Sequence, residues 1–168
     1  SILDASFNQG YKKTSNKKTS GSRNHIFARS DIDLDLETFD ESKLVVNYQK
    51  ASNDTYLKVH DIKSKIMTSN TVMNSSIDMN FSKNDTSMNI NMDVYEDLSK
   101  DDDRYEFVVP NYNYQNKLSI SEELGTFNFQ SRGYYKNYET NKKQTKLVND
   151  FHWKSNDYIS SSGIITKV

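Results

Sequence analysis

The chain has 168 residues, enough for one domain, and only 34% are hydrophobic, a thin supply for a conventional core. Basic and acidic residues nearly balance at 22 against 23, which gives no basic face for nucleic acid, and the absence of cysteine excludes disulfides and thiolate metal sites. Eleven tyrosines and eight phenylalanines argue against disorder, and no apolar run approaches the roughly 18 residues of a spanning helix, so any membrane role falls to strands.

Ser1 to Gly10 hold no basic region followed by an apolar run, so no signal peptide is expected there. Lys12 to Arg23, rich in Lys, Ser, Thr and Asn, reads as a water-exposed loop. From Asn24 to Leu36 the period becomes two. Ile26, Ala28, Ile32, Leu34 and Leu36 share one face, and His25, Arg29, Asp31, Asp33 and Asp35 share the other, with Phe27 as the apolar exception. Leu44, Val46 and Tyr48 then alternate with Lys43, Asn47 and Gln49, while Asp61 to Asn70 lacks alternation and reads as an irregular link.

The clearest signal follows. Met73, Ser75, Ile77, Met79 and Phe81 alternate with Val72, Asn74, Ser76, Asp78, Asn80 and Ser82. After the turn-like Lys83-Asn84-Asp85, Met88, Ile90, Met92 and Val94 alternate with Ser87, Asn89, Asn91 and Asp93. A helix needs apolar residues three and four apart, so these are strands. Further strands are expected over Tyr105–Tyr114, Thr126–Tyr135, Thr145–Trp153 and Tyr158–Thr166, with a second exposed loop over Tyr134–Gln144. Pro110 interrupts an apolar run and marks an edge, a bulge or a strand end. The expected fold is all-β, an antiparallel up-and-down meander of roughly ten strands of about 8 to 13 residues.

Strict alternation asks for one dry and one wet face, which a soluble sandwich, an inward-facing small barrel or a transmembrane barrel can each supply. Charges in mid-strand and Tyr and Trp toward segment ends (Tyr105, Tyr112, Tyr114, Tyr134, Tyr135, Tyr138, Trp153 and Tyr158) favour an open section of a large transmembrane barrel. On that reading Ile26, Ile32, Leu34, Met73, Ile77, Met79, Phe81, Met88, Ile90 and Met92 face lipid. Arg29, Asp31, Asp33, Asp35, Asn74, Asp78, Asn80, Asn89, Asn91 and Asp93 face the lumen. The first four of these polar residues equally suit an ordinary solvent face, and the alternative is a soluble β-sandwich or adhesin-like binding domain with Tyr- and Asn-rich loops.

Other chemistry finds little support. His25, His60 and His152 lie far apart and read as solvated strand histidines, and Asp101-Asp102-Asp103 reads as a solvated turn rather than a Ca²⁺ loop. No nucleophile elbow or glycine cradle is present, so neither catalysis nor a cofactor or metal is expected.

Four stretches resemble the LptD family of lipopolysaccharide-assembly outer-membrane proteins. They are Ser52-Asn53-Asp54-Thr55-Tyr56-Leu57-Lys58, then Tyr95-Glu96-Asp97-Leu98 and Asp103-Arg104-Tyr105-Glu106-Phe107-Val108-Val109-Pro110-Asn111-Tyr112. The last is Gly133-Tyr134-Tyr135-Lys136-Asn137-Tyr138-Glu139-Thr140-Asn141, followed by Leu147-Val148-Asn149-Asp150-Phe151. Their order matches the middle of that family's barrel. The resemblance implies a Gram-negative outer-membrane location and lipopolysaccharide as the partner molecule. It also implies an LptE-like lipoprotein plug in the lumen, a periplasmic Lpt bridge and a lateral gate. About ten strands cannot close so large a barrel, and no jelly-roll is read here, so residues 1–168 are expected to be a fragment of the barrel domain, with no gate residue assigned.

Overall fold

The computed structural model describes residues 1–14, 17–52, 54–121, 125–139, 141–163 and 165–166, with side chains described outside 8–22, 120–121, 158–159 and 166. It is all-β apart from one short helix. Eight strands form a single antiparallel sheet in the order of the sequence: β1 (Ile2–Thr14), β2 (Lys17–Asp33), β3 (Glu41–Ala51), β4 (Val72–Lys83), β5 (Thr86–Asp97), β6 (Tyr105–Ser121), β7 (Gly125–Tyr138) and β8 (Lys142–Lys154). The sheet is open, and among the described residues β1 and β8 pair on one side only. A helix, α1 (Asp54–Val59), lies in the link from β3 to β4.

The main sheet therefore has eight strands, fewer than the ten expected. The last expected strand, Tyr158–Thr166, is instead a two-residue pairing of β9 (Tyr158–Ile159) with β10 (Ile165–Thr166), separate from the sheet. The eight strands are correspondingly longer. Most of the expected loop Lys12–Arg23 is ladder, since β1 and β2 stay paired from Ile2↔Arg29 to Thr14↔Lys17, with Ser15 and Asn16 outside the described residues. The expected loop Tyr134–Gln144 is likewise mostly strand, paired to Tyr138↔Lys142, with Thr140 outside the described residues. Asp61–Asn70 carries no strand, as expected.

Turn chemistry follows the residues. Lys83 pairs with Thr86 across Asn84-Asp85, and Asn84 takes φ 48°, a left-handed conformation that asparagine tolerates. Gly125 opens β7 at φ 81°, where a Cβ would lie 2.2 Å from the Lys154 carbonyl oxygen.

Pro110 sits in a bulge. Asn91 pairs with Asn111 and Asp93 with Val108, so Val109 and Pro110 together stand opposite Met92. On the other side Val108 pairs with Lys136 and Asn111 with Tyr134, so the same two residues oppose Tyr135. The missing proline N–H therefore falls where the ladder is already interrupted, which allows proline in an interior strand.

The strands are staggered. Ile2, Arg29, Asn47, Ser76, Asp93, Val108, Lys136 and Gln144 stand side by side across all eight. Toward the α1 end, β1 continues twelve residues past this row, to Thr14, and β7 only two, to Tyr138. Toward the opposite end, β2 continues four, to Asp33, and β6 thirteen, to Ser121. Taken at the strand midpoints, a drift of about ten residues at ~3.4 Å each over the seven spacings of ~4.8 Å from β1 to β8 slopes the sheet by roughly 45°.

Burial is slight and local. The buried apolar residues form one cluster, Phe27, Ala51, Tyr56, Leu57, Ile66, Met73 and Leu98, where α1 and its link meet the end of the sheet. The β3–β4 ladder stops at Asn47↔Ser76, and side chains take over beyond it. The Gln49 backbone N–H donates to Ser75 Oγ at 3.0 Å, the Asn74 N–H donates to Gln49 Oε1 at 3.3 Å, and Gln49 Nε2 donates to the Ile66 carbonyl at 3.0 Å. This opening between β3 and β4 is where the link inserts.

Candidate functional site

The most distinctive surface is the sheet itself, because its register sorts side chains into two unlike faces. In an antiparallel ladder, paired residues project to the same side. Ile32 pairs with Leu44, Leu44 with Met79, and Met79 with Ile90; Ile90 in turn pairs with Tyr112. Val46, Ile77 and Met92 form the next row, and Phe81, Met88 and Tyr114 another. Farther along β6 to β8, Phe129 and Phe151 pair with their tilted rings 4.9 Å apart, and Phe127 pairs with Trp153. Little covers this face: Leu147 is 62% exposed and Phe151 67%. Rotamer packing along it is mutual, with Tyr114, Phe129, Phe151 and Phe127 linked ring to ring at 4.9–6.0 Å.

The opposite face is polar. One row runs Lys43, Asn80, Asn89, Asn113 and Arg132; the next runs Val45, Asp78, Asn91, Asn111 and Tyr134. Asn89 Nδ2 donates to Asn80 Oδ1 at 2.7 Å, Asn91 donates to Asp78, and Gln130 donates to Asn113 at 3.1 Å. Arg29 donates twice to Asp31, and Arg132 pairs with Asp150 at 3.3 Å. Apart from Arg29–Asp31, which lies within β2, these links cross between strands and hold amides and carboxylates in fixed rows.

The sequence-derived apolar set Ile26, Ile32, Ile77, Met79, Phe81, Met88, Ile90 and Met92 thus shares one face. The polar set Arg29, Asp31, Asp33, Asn74, Asp78, Asn80, Asn89, Asn91 and Asp93 shares the other. Leu34 and Asp35 fall beyond the end of β2, and Asp35 takes φ 49° in the turn. Met73 differs more. It is only 1% exposed and packs in the cluster with Leu57 and Ile66, so it is not on the open surface. Alternation places a side chain on a side but cannot report what a distant segment lays over it.

The aromatic residues also sort differently from a simple terminal girdle. Tyr112 and Tyr114 lie within β6, because that strand continues to Ser121, and Tyr134 and Tyr138 belong to the polar face. Tyr105 and Trp153 do lie at opposite ends of the apolar face, and the Tyr158 side chain lies outside those described.

Phe27, the apolar exception on the polar face, is fully buried. It stacks on His25 at 4.8 Å, and His25 faces Tyr56 of α1, with Nδ1 3.3 Å from the Tyr56 hydroxyl. His25 is 3% exposed, with Nε2 3.3 Å from Asp4 Oδ1. It is therefore a packed histidine rather than a solvated one. His60 and His152 are exposed, though the His60 ring lies 5.3 Å from Tyr56. The helix was not legible in advance. Its only sequence signal is Phe27 breaking the alternation, which marks a point on the wet face that something must cover.

At the α1 end, the apolar face finishes in charge. Glu96 accepts from Lys50 Nζ at 2.7 Å and from the Tyr105 hydroxyl at 2.9 Å, and pairs with Arg104 Nη2 at 3.1 Å. Lys50 also donates to the Tyr105 hydroxyl at 2.9 Å. Outside the strands, Lys58 and the Thr55 backbone N–H hold the Asp54 carboxyl below the usual carboxylate range. Lys142 does the same for Glu139. Asp101, Asp102 and Asp103 are exposed in the bend between β5 and β6, and among the described residues no group of His, Asp or Glu has the geometry to hold a metal.

Compared with protein-family models, with curated proteins and with solved structures, the chain finds no match in any of the three.

Proposed function

We propose that this chain is a section of the wall of a transmembrane β-barrel, its apolar face turned to lipid and its polar face to the lumen. The observation that carries the reading is the pairing of an uncovered apolar face with a polar one on a single staggered meander. Five aromatic residues of the apolar face, Tyr48, Tyr105, Phe107, Phe151 and Trp153, are about half exposed. At roughly 200 Å² per ring they leave on the order of 500 Å² of surface open in sum, spread along the face from Tyr48 and Tyr105 at one end to Trp153 at the other and comparable to the largest patch on a typical soluble monomer. The aliphatic residues beside them take the face well past that. Lipid satisfies such a surface without further protein.

Dimensions support the same reading. From Met88 to Val94 the apolar stretch of β5 rises about 20 Å along the strand, which at the slope of the sheet covers about 14 Å, over half of the roughly 25 Å apolar band of outer-membrane barrels. The slope of the sheet is close to the roughly 45° at which barrel strands cross a bilayer. Between its two edges a wall built this way pairs backbone donors and acceptors from strand to strand, as hydrocarbon requires, and the β1 and β8 edges would pair with further strands of the barrel.

Within that reading, the barrel serves lipopolysaccharide assembly in a Gram-negative outer membrane, with a lipoprotein plug and a periplasmic bridge as partners. This part rests on the resemblance of the Tyr95–Leu98, Asp103–Tyr112 and Gly133–Asn141 stretches. Depleting the protein and labelling surface lipopolysaccharide tests it: loss of newly delivered lipopolysaccharide is expected, and unchanged delivery overturns the assignment. Fractionation of the full-length protein tests the barrel. Recovery with outer membranes, released by detergent but not by high salt, is expected; recovery in a soluble fraction overturns it.

A further inference from the structure

We propose that Lys50 and Arg104, gathered about Glu96 at the rim of the apolar face, bind the phosphate of an anionic phospholipid whose acyl chains lie along that face. The inference rests on the barrel reading and adds a lipid-selective site to it.

Position comes first. Lys50 follows Leu44, Val46 and Tyr48 on the same side of β3, and Glu96 follows Ile90, Met92 and Val94 on β5. Tyr105 pairs with Glu96, and Arg104 reaches the same carboxylate from the start of β6. The cluster thus stands one step beyond the last apolar row, where hydrocarbon would give way to headgroups. A phosphate at the rim and a chain on Val94, Phe107 and Tyr48 would belong to one molecule.

Charge comes second. Two cations surround one carboxylate, leaving the cluster with one net positive charge. The Glu96 side chain is 7% exposed and saturated with donors, whereas Lys50 and Arg104 remain 45% and 31% exposed. Glu96 therefore fixes the cations in place while they stay reachable. Of the other acids nearby, Asp97 and Asp103 line the same cavity as Arg104 with Lys100 beside them, Glu106 is paired with Lys136 and Glu139 with Lys142, so the net positive charge belongs to the Lys50–Glu96–Arg104 group alone.

Donor geometry comes third. Arg104 Nη2 is engaged with Glu96 and Nε is buried, so a phosphate oxygen meets Arg104 only through the 31% of its side chain that stays exposed. A guanidinium carries five N–H donors, and one carboxylate does not exhaust them. Lys50 Nζ lies 5.4 Å from the Tyr105 ring centre, which holds the ammonium over the aromatic.

The test uses the full-length protein reconstituted in nanodiscs of phosphatidylcholine with one fifth phosphatidylglycerol. Lipid retained after mild detergent extraction is measured by native mass spectrometry. Phosphatidylglycerol enrichment of about five-fold over phosphatidylcholine is expected. The Lys50→Gln/Arg104→Gln double variant should reduce it to within two-fold of parity, and Lys50→Arg should retain it. Arg132→Gln, on the polar face, serves as the control and should change nothing. Equal enrichment in the double variant overturns the site, as does enrichment that inorganic phosphate alone abolishes, since that outcome points to a free-anion site. Failure of the protein to enter nanodiscs at all instead counts against the barrel. Circular dichroism of each variant separates loss of the site from loss of the fold.

Discussion

Gly133 illustrates how much this sheet depends on single side chains despite having almost no core. It sits on the apolar face between Tyr112 and Leu147, its ladder partners, and the Tyr112 ring crosses the space above it. A Cβ there would lie 2.8 Å from the Lys146 carbonyl oxygen and 3.0 Å from Tyr112 Cε1. The first contact is backbone and cannot swing aside. Gly133→Ala should therefore destabilise by about 1–3 kcal/mol, the usual range for overpacking. Asn149→Ala, on the same face but exposed, should stay within about 0.5 kcal/mol. Denaturant titration in detergent compares the two. Asp54 gives a pH-dependent counterpart. Its folded carboxyl is held low by Lys58 first and Thr55 second, so it contributes stability at pH above the ordinary carboxylate range. That contribution fades as pH falls through the depressed folded value. The protection factors of α1 amides, taken against the intrinsic exchange rate at each pH, should fall on acidification in the native chain, and Asp54→Asn should show low protection already at neutral pH with a flatter acid dependence. Because Asp54 and Lys58 are close to solvent, salt should weaken the effect.

At the scale of elements, β6 shows why a strand can look irregular in sequence and regular in space. Tyr105 and Phe107 are odd-numbered and Tyr112 and Tyr114 even-numbered, yet all four lie on the apolar face. The two-residue bulge at Val109-Pro110 absorbs the slip, since two residues there take the place of one. Deleting Pro110 should then leave every side chain on its present face and give a plain ladder, with Val109 opposite Met92. Deleting Asn113 instead would put one half of β6 on the wrong side. The expected result is near-native strand content for the Pro110 deletion and loss of cooperative unfolding for the Asn113 deletion, read by circular dichroism and denaturant titration. Equal damage from both would show that the bulge is needed for more than phase.

The same element explains what was legible. Period two places Ile77, Met79, Ile90 and Met92 together because each is two residues from the next, whatever the fold does elsewhere. It places strand ends poorly. Lys12–Thr14 and Lys142–Gln144 are polar on both faces, so nothing in their composition separates a ladder from a loop, and pairing with a neighbour decides. α1 has six residues, too few to display a helical period, and it forms where Tyr56 and Leu57 can cover Phe27. Met73 and His25 depart from the expectation for that one reason: a residue's face is local information, but its cover comes from another segment, with Leu57 lying 16 positions from Met73 and Tyr56 31 from His25.

Across the whole molecule, the question is which medium meets the apolar face, and a single residue can answer it. Trp153 is the sole tryptophan, half exposed, at the far end of that face from Lys50 and beside Phe127. If lipid covers the face, acyl chains brominated near the headgroup should quench Trp153 emission more strongly than chains brominated near the bilayer centre, because the residue lies toward a rim. Aqueous iodide should quench weakly. Moving the reporter by Trp153→Phe with Met92→Trp, to the middle of the apolar band, should reverse the order of the two brominated lipids. Moving it by Trp153→Phe with Asn91→Trp, one position along β5 on the polar face, should make iodide or a neutral aqueous quencher the stronger agent. A soluble sheet stacked on a second protein layer makes the opposite prediction: brominated lipid would leave all three reporters unchanged. The β1 and β8 edges add a constraint on how the measurement is made. Each presents an unpaired row of backbone donors and acceptors among the described residues, so the chain without membrane or detergent should associate edge to edge and give a blue-shifted emission for reasons unrelated to lipid. Quenching that depends on bromine position, rather than emission wavelength alone, separates burial in lipid from burial in an aggregate.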